Sequence, residues 1–170
     1  MIDCVGFLVK DAAGSTENDK ERLVKTPWSE TAMPFSQAAD FGTQKVINDH
    51  ATVGIMVTTD GSFGEIPREN FTPAEEKTVA ELKKAGKPFV IVLNSKRPYK
   101  EETRTLAEQM EQNWDVPVIP VNCEQMKEED IIKILEAMLS EFPVLKLAFY
   151  IPRWAEILDN THPLKQQLLS

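Results

Sequence analysis

The run that most constrains the fold lies in the middle of the chain, at residues 88–93 (PFVIVL). It is continuously apolar, rich in β-branched residues, and bounded by Gly86 before it and Pro98 after it. A strand of this kind has no polar face to offer to water, so it must be covered on both sides. Strands covered on both faces are typical of parallel sheets flanked by helices. The run therefore predicts an α/β fold with residues 88–93 at its centre.

Further strand and helix patterns alternate with this central run. Residues 53–57 (VGIMV) and 116–121 (VPVIPV) predict two more strands. The second is predicted at a sheet edge, because its prolines cannot donate a hydrogen bond to a neighbouring strand. Helical spacing of apolar residues predicts four helices, at residues 36–50, 72–85, 99–113 and 128–142. This alternation predicts a three-layer, mostly parallel sheet with right-handed crossovers.

Capping patterns predict where the helices begin. Ser36 is predicted to cap the first helix, and Thr72 and Glu75 form a capping-box pattern around Pro73. Glu75 and Glu76 are therefore interpreted as capping and surface charges without a catalytic role. The last of the four helices has a strongly apolar face, which is predicted to pack on the sheet. That face consists of Ile131, Ile132, Leu135, Met138, Leu139 and Phe142.

The remaining segments are less regular. Residues 2–9 (IDCVGFLV) predict a strand, whereas residues 10–35 lack periodicity and predict a functional loop or mobile insertion, packed down by Trp28. Residues 144–151 are a candidate for a further strand, and residues 152–170 predict one or two short helices.

Charge and composition exclude some functions. The formal net charge of −8 over 170 residues disfavours sequence-independent nucleic-acid binding and direct docking on anionic lipid. No apolar run approaches the roughly 20 residues that a membrane-spanning helix needs. Cys4 and Cys123 lack the spacing of metal ligands and follow apolar runs, so both are interpreted as buried thiols.

Polar residues follow the predicted strands where each strand ends. Ligands of open parallel sheets bind outside the carboxyl ends of the strands, so these residues are candidates for a site. They are Thr58, Thr59 and Asp60 after one strand, Asn94, Ser95, Lys96 and Arg97 after the central strand, and residues 122–124 after the edge strand. Two alternatives stay open: the threonines and Asp60 either line a site or shape a turn at Gly61, and Asn94 either faces a ligand or caps the next helix.

The pattern Asp-x-x-Gly occurs at Asp3 and Gly6. In nucleotide hydrolases, an aspartate at this place holds a Mg²⁺-bound water, and the glycine lets a backbone N–H approach the γ-phosphate. The pattern is short enough to occur by chance, and a simple turn at the end of a strand is the alternative.

The order of the strand ends resembles the second half of a GTPase-like P-loop domain. In that superfamily an Asn-Lys-x-Asp motif follows the third of these strands, and its aspartate pairs with guanine. The matching positions here are Asn94, Ser95, Lys96 and Arg97, so an arginine stands in the place of the aspartate. The resemblance therefore implies that guanine selectivity is lost and that ATP is the substrate.

Five stretches carry a closer resemblance: IDCVGF, TPWSETAMPFSQAADFGTQKVI, TTDGSFGEIPRENF, KPFVIVLNSKRPY and EFPVLKLAFYIPRW. Together they resemble the stage IV sporulation protein A family, the coat morphogenetic ATPases of endospore-forming bacteria. The resemblance implies a GTPase-like P-loop NTPase fold, ATP and Mg²⁺ as cofactors, and ATP-dependent self-assembly into the basement layer of the spore coat. Carried over to this sequence, Asp3 is the Walker B aspartate, which holds Mg²⁺ through water, and Gly6 belongs to the same motif.

The resemblance also implies partners and a location. The partners are further copies of the protein, a small membrane-bound anchoring peptide and other spore-coat proteins. The implied location is the mother-cell cytoplasm, at the outer surface of the forespore.

One departure from the family pattern limits the expected activity. The sequence contains no G-x-x-x-x-G-K-[ST] phosphate-binding loop, whose backbone N–H groups and lysine supply most of the binding energy for a triphosphate. Residues 1–142 are therefore interpreted as a partial nucleotide-binding domain that lacks its N-terminal strand and P-loop. Residues 143–170 are interpreted as the start of the following region. We expect no ATP hydrolysis by this chain alone.

Loss of the P-loop strand predicts two sheet edges without neighbours, so residues 1–9 are expected to pair with residues 53–57 or with another chain. Two other functions remain as alternatives. One is a non-catalytic self-assembly or scaffold module that uses residues 10–35 and the acidic surface for polymer contacts. The other is a receiver-like binding domain, which needs an acidic cluster at its first strand and a lysine after its last.

Overall fold

A computed structural model describes residues 2–14, 16–17, 20–27, 29–143 and 153–169. The strands are β1 (Thr16–Glu17), β2 (Lys20–Glu21), β3 (Leu23–Thr26), β4 (Ser29–Pro34), β5 (Gly54–Thr59), β6 (Phe89–Asn94) and β7 (Val118–Val121). The α-helices are α1 (Phe35–Lys45), α2 (Thr72–Lys84), α3 (Glu101–Trp114), α4 (Glu128–Ser140), α5 (Arg153–Glu156) and α6 (Pro163–Leu169). A π-helical turn, Val46–His50, extends α1, and two 3-10 turns cover Arg68–Asn70 and Cys123–Gln125.

A parallel sheet in the order β5-β6-β7 forms the centre of the fold. Its register pairs Ile55 with Val90 and Ile91 with Val118. This confirms the predicted α/β class, the central place of residues 88–93 and the edge position of the proline-containing strand. β5 forms the other edge of this three-stranded sheet.

The central strand β6 is covered on both faces, as its sequence predicts. Phe89, Ile91 and Leu93 are at most 4% exposed and pack in one cluster with the apolar residues of α2 and α3. Val90 and Val92 face the opposite layer, where they pack with Val121 and with Ile134 of α4. Full burial of an aliphatic side chain of this size contributes about 1.5–3 kcal/mol, so β6 is a large source of stability.

The prediction of a strand at residues 2–9 is wrong. A strand needs a neighbour for its backbone hydrogen bonds, and in the described part of the chain β5 pairs with β6 and not with residues 2–9. Ile2 and Val5 are accordingly 57% and 69% exposed. Phe7 is buried, and the Nζ atom of Lys77 lies 4.4 Å from its ring centre. Pairing of residues 2–9 with another chain stays a prediction.

Residues 10–35 contain more regular structure than the functional loop or mobile insertion that the sequence predicts. Two antiparallel hairpins occupy this stretch, formed by β1 with β2 and by β3 with β4. Their strands are short and polar, so they lack the apolar alternation that marks a strand in sequence. Ser36 does not cap α1; its hydroxyl donates to the carboxylate of Glu21 in β2. Trp28 lies outside the described residues.

The capping box predicted at the start of α2 is absent. Phe71 precedes the helix, and no side chain caps its first turn. The Glu75 side chain instead packs against β5, where it contacts Thr58, and is 4% exposed. Its interpretation as a capping and surface charge is therefore wrong. Glu76 is exposed, as predicted.

Helix α4 turns a different face to the sheet than the sequence predicts. Ile134 is buried there, with Ala137 and Met138 partly buried against the same cluster. α4 packs on β6 and β7, where its buried side chains meet Val90, Val92, Ile119 and Val121. Most of the predicted face is exposed, namely Ile131, Ile132, Leu135, Leu139 and Phe142.

Both cysteines are exposed, contrary to prediction, because Cys4 lies in the unpaired segment and Cys123 in a 3-10 turn. The predicted strand at residues 144–151 lies outside the described residues, whereas the two predicted short helices are present as α5 and α6. Within the described ranges, no helix combines the length and the apolar character that crossing a membrane requires.

Candidate functional site

The carboxyl ends of β5, β6 and β7 meet at one edge of the sheet, because the three strands are parallel. The predicted residues lie at these strand ends and in the loops that follow: Thr58 and Thr59 end β5, Asn94 ends β6, and Asp60, Ser95 to Arg97 and residues 122–124 come directly after the strands. The structure therefore brings the three polar groups together, as the sequence predicts. Which of their side chains remain free to meet a ligand depends on the hydrogen bonds among the loops.

Asn94 joins the loops of β6 and β7. Its side-chain oxygen accepts a hydrogen bond from the backbone N–H of Cys123 at 3.0 Å, and its backbone oxygen accepts one from the N–H of Asp60 at 3.2 Å. Lys100, and not Asn94, precedes the next helix. The capping alternative for Asn94 is therefore excluded, and its side chain acts as a clip between two loops at the site.

Asp60 links the end of β5 to α3. Its carboxylate accepts hydrogen bonds from the N–H of Ser62 at 2.9 Å and from the hydroxyl of Thr103 at 3.4 Å. Partial burial acts to raise the pKa of Asp60, but hydrogen bonds from Ser62, Ser95 and Thr103 outweigh it and lower the pKa below its ordinary value. The Asp60 carboxylate is therefore ionised at neutral pH, and its hydrogen bonds with Ser62 and Thr103 hold the loop in place.

Thr58 and Thr59 shape the turn and its support. The Thr59 hydroxyl oxygen accepts a hydrogen bond from the N–H of Gly61 at 3.1 Å, and the Gly61 φ of +84° is a conformation that other residues rarely adopt. The buried hydroxyl of Thr58 donates to the Glu75 carboxylate beneath the sheet. The Thr59 contact favours the turn-shaping alternative, whereas Thr58 joins β5 to α2.

The loop after β6 has one buried and two exposed polar residues. Ser95 is fully buried, and its hydroxyl oxygen accepts a hydrogen bond from the N–H of Arg97 at 3.0 Å. Lys96 and Arg97 are exposed, with the Lys96 Nζ atom 5.3 Å from the ring centre of Phe63. Ser95 therefore fixes the loop, while Lys96 and Arg97 are the side chains available to a ligand.

A cavity of about 440 Å³ lies between the loops of β6 and β7. Its volume is within the range of about 300–1,000 Å³ that small-molecule sites occupy. Among the described residues, none of the four cations in its wall takes part in an ion pair, so the recess is locally positive in an acidic chain. These cations are Lys96, Arg97, Lys100 and Lys127, with Asp130 as the acidic residue of the wall.

Asp3 and Gly6 lie in the N-terminal segment, which forms no strand in the described part of the chain. Asp3 is exposed, and Gly6 has a φ of +78°, which accounts for a glycine there. The segment is attached near the site by Asn70, whose amide donates to the Asp11 carboxylate at 2.8 Å. In the described part of the chain, no cluster of three or more His, Cys, Asp or Glu residues could hold a metal ion. The role of Asp3 towards Mg²⁺ remains a prediction.

Sequence reasoning missed Arg68 and Glu75. The two side chains form an ion pair of 2.8 Å between Arg68 Nη2 and Glu75 Oε2, with 22% and 4% of each side chain exposed. A signal was available in the sequence, since Glu75 precedes Val79 and Leu82 at the i, i+4, i+7 spacing of a buried helix face. The capping pattern explained the same residue in a simpler way and concealed this signal.

Comparisons with known proteins place the chain among sporulation proteins. The family model described as the ATPase domain of stage IV sporulation protein A matches residues 1–143. A protein named stage IV sporulation protein A from Clostridioides difficile (strain 630) is 45% identical over all 170 residues. Proteins of the same name from Bacillus subtilis (strain 168) and Bacillus anthracis are 41% and 42% identical over 98% of the chain.

The chain spans about a third of the length of these relatives, with 35% of the C. difficile protein and 34% of each Bacillus protein covered. No solved structure matches the chain.

Proposed function

The chain belongs to the stage IV sporulation protein A family. We propose that it forms one part of a domain that binds and hydrolyses ATP, namely the part that contacts the base of the nucleotide and is called the base-side part below. The supporting observation is the set of three loops at the carboxyl edge of the sheet. Asn94 and Ser62 join these loops, Asp60 and Ser95 hold the backbone within single loops, and Lys96 and Arg97 line a cavity. Residues that hold loops, rather than a ready-made catalytic cluster, fit the part of the domain that positions a nucleotide.

The open edge of β5 supports a site that other residues complete. Within the described residues β5 pairs only with β6, so its other edge is open. The apolar side chains of Ile55 and Val57, which point to one face of β5, are 46% and 63% exposed, so this face is also uncovered. We propose that a P-loop strand from elsewhere in a longer protein pairs with β5 and that its loop holds the phosphates. On this proposal the 170 residues alone do not hydrolyse ATP.

Individual residues then have separate roles. Arg97 and Lys96 lie near the base and ribose, and Arg97 disfavours guanine because it offers donors where guanine also offers donors. Asp3 would hold Mg²⁺ through water, and the N–H of Gly6 would bind the γ-phosphate. When bound, Mg²⁺ neutralises charge that develops on the phosphate oxygens.

We further propose that ATP turnover drives self-assembly of the basement layer of the spore coat. The proposed location is the mother-cell side of the forespore surface. A small membrane-bound peptide anchors the layer there, and other coat proteins are its partners.

Replacement of the matching stretch of the C. difficile relative by these 170 residues provides the test; the product is called the chimera below. We expect the chimera to hydrolyse ATP and the Asp3→Ala variant to lose nearly all of this activity. Glu76→Ala is the matched control, because Glu76 is an exposed carboxylate outside the site. Equal hydrolysis by the Asp3→Ala and Glu76→Ala variants would contradict the proposed role of Asp3.

A non-catalytic scaffold module is the second candidate, and the exposed apolar face of α4 favours it. Five large apolar side chains on or just after this helix are 39–65% exposed. Such a face is typical of a surface that another protein covers. Light scattering of the chimera distinguishes the candidates: assembly that needs hydrolysable ATP supports the ATPase, and equal assembly without nucleotide supports the scaffold.

A further inference from the structure

Three polar side chains meet beneath the turn that follows β5. Glu75 of α2 accepts a hydrogen bond from the Thr58 hydroxyl with one carboxylate oxygen and pairs with Arg68 through the other. Glu75 and Thr58 are only 4% and 6% exposed. The guanidinium of Arg68 also reaches α3, where its Nη2 atom lies 3.7 Å from the sulfur of Met110. The trio of Thr58, Arg68 and Glu75 therefore joins β5, α2 and α3 below the loop.

A gain in stability alone does not explain a buried ion pair between Arg68 and Glu75 at this place. A buried ion pair loses much of its hydration, and apolar side chains of similar volume often give equal or greater stability. The Nε and Nη1 atoms of Arg68 are buried and have no hydrogen-bond partner among the described residues, which adds to the cost. What the ion pair does provide is a defined position for Arg68, because both partners must face each other.

The turn above the trio rests directly on Arg68. Gly61 has a φ of +84°, and a Cβ atom placed on it would lie 3.2 Å from Arg68 Cβ and 3.3 Å from the Arg68 backbone nitrogen. Because Gly61 carries no Cβ atom, the turn lies closer to the Arg68 backbone than a residue with a side chain would allow. The Arg68 backbone therefore lies beside the turn at residues 60–62, and a shift of Arg68 would act on this turn.

Residues 60–62 also hold the loop that follows β6. The Ser62 hydroxyl oxygen accepts a hydrogen bond from the N–H of Lys96 at 2.9 Å, and Asp60 reaches Thr103 of α3. We propose that Glu75 is a positioning residue. Through Thr58 and Arg68 it fixes the position of residues 60–62. Through Ser62 this turn then fixes the position in which Lys96 and Arg97 meet the nucleotide. The part that concerns the nucleotide rests on the proposed function.

Hydrogen exchange of the 170-residue chain tests the positioning without any nucleotide. The variant Thr58→Val/Arg68→Met/Glu75→Leu replaces the trio by apolar side chains and is expected to keep the melting temperature. We expect the amides of Gly61, Ser62 and Lys96 to exchange at least about tenfold faster in this variant, while those of Val90 and Ile91 are unchanged. Unchanged exchange at Gly61, Ser62 and Lys96 in a folded variant would overturn the proposal.

Glu75→Gln is the second variant, in case the triple substitution does not fold. Glutamine keeps the volume and can still accept from Thr58, but it removes the charge that holds Arg68. The same local increase in exchange is expected. Asp49→Asn is the matched control, because Asp49 forms an exposed ion pair with Lys45 at 3.0 Å and does not contact the turn. Equal exchange patterns for the two variants would contradict the inference.

Titration of Mg-ATP into the chimera adds the functional readout. Measured well below the melting temperature, the Kd for ATP is expected to rise about tenfold with Glu75→Gln, since a small misplacement of binding groups has effects of this size or larger. An unchanged Kd would overturn the link to the nucleotide. If the unsubstituted chimera does not bind ATP, the proposed function fails, and the exchange experiment still decides whether Glu75 positions the loops.

Discussion

Two apolar runs of this chain have similar compositions but form different structures. Residues 2–9 (IDCVGFLV) and β6 (FVIVLN) are both rich in β-branched residues and both end next to polar residues. In β6, the side chains from Phe89 to Leu93 are 0–4% exposed. In residues 2–9, Ile2 and Val5 are 57% and 69% exposed, and no strand forms.

The difference comes from neighbours and not from propensity. β6 has β5 on one side, β7 on the other and a helical layer on each face. Residues 2–9 have no strand beside them in the described part of the chain, so their backbone groups have no ladder to join. An apolar run thus predicts that a segment can be a buried strand, and the tertiary structure decides whether it becomes one.

The largest effect is expected from truncation of one β-branched side chain in each run. Ile91→Ala leaves a cavity in the centre of the sheet and is expected to lower the free energy of unfolding by about 3 kcal/mol. Val5→Ala removes an exposed side chain and is expected to change it by less than about 0.5 kcal/mol. Urea unfolding followed by circular dichroism measures both values. Similar losses for the two variants would break the comparison.

Phe7 is expected to give an intermediate effect. It is the buried residue of the N-terminal run, 7% exposed, and Lys77 lies against its ring. Phe7→Ala is therefore expected to cost about 2 kcal/mol in the same unfolding experiment. Val5→Ala again serves as the control. A loss no larger than that of the control would show that the whole run is loose in solution.

Asp60, which follows the strand beside β6, predicts a pH dependence of stability. The folded-state pKa of Asp60 lies below its unfolded value of about 3.9, because the folded chain donates hydrogen bonds to the carboxylate. Its contribution to stability is therefore present above that unfolded value and is lost as the pH falls through the folded pKa.

Asp60→Asn is expected to remove this part of the acid destabilisation, with an effect below about 1 kcal/mol because the group is only partly buried. Melting temperatures of the two proteins, compared between pH 7 and pH 3, measure it. The difference between them is expected to narrow as the pH falls, and a difference that widens on acidification would contradict the assignment.

The smallest effect is expected on the exposed face of α4, which repeats the contrast within one helix. Ile134 is 7% exposed and Leu139 is 65% exposed. Leu139→Ala is expected to change the free energy of unfolding by less than about 0.5 kcal/mol, against about 3 kcal/mol for the control Ile134→Ala. A large loss for Leu139→Ala would mean that this face is covered in solution.

The elements with strong periodicity were predictable from the sequence. The continuous apolar run of β6, the paired strands on its two sides and the helices between them all follow from local patterns. The loop cluster at the carboxyl edge was predictable for the same reason, because parallel strands bring their ends to one side.

Features decided by tertiary contacts were not predictable in this way. The orientation of α4 depends on its packing against β6 and β7, and the hairpins at residues 10–35 depend on short polar strands without alternation. Two sequence patterns give different predictions for Glu75: the capping pattern predicts an exposed residue, and the helix spacing predicts a buried one. Only the packing against Thr58 and Arg68 decides between them.

Titration calorimetry of Mg-ATP and Mg-GTP tests the central claim most directly, with the 170-residue chain and the chimera compared side by side. The claim is that these residues form the base-side part of an ATP site whose phosphate-binding part lies elsewhere in a longer protein. It predicts no measurable binding to the 170 residues alone and binding of ATP in preference to GTP by the chimera. Tight ATP binding by the 170 residues alone would contradict it.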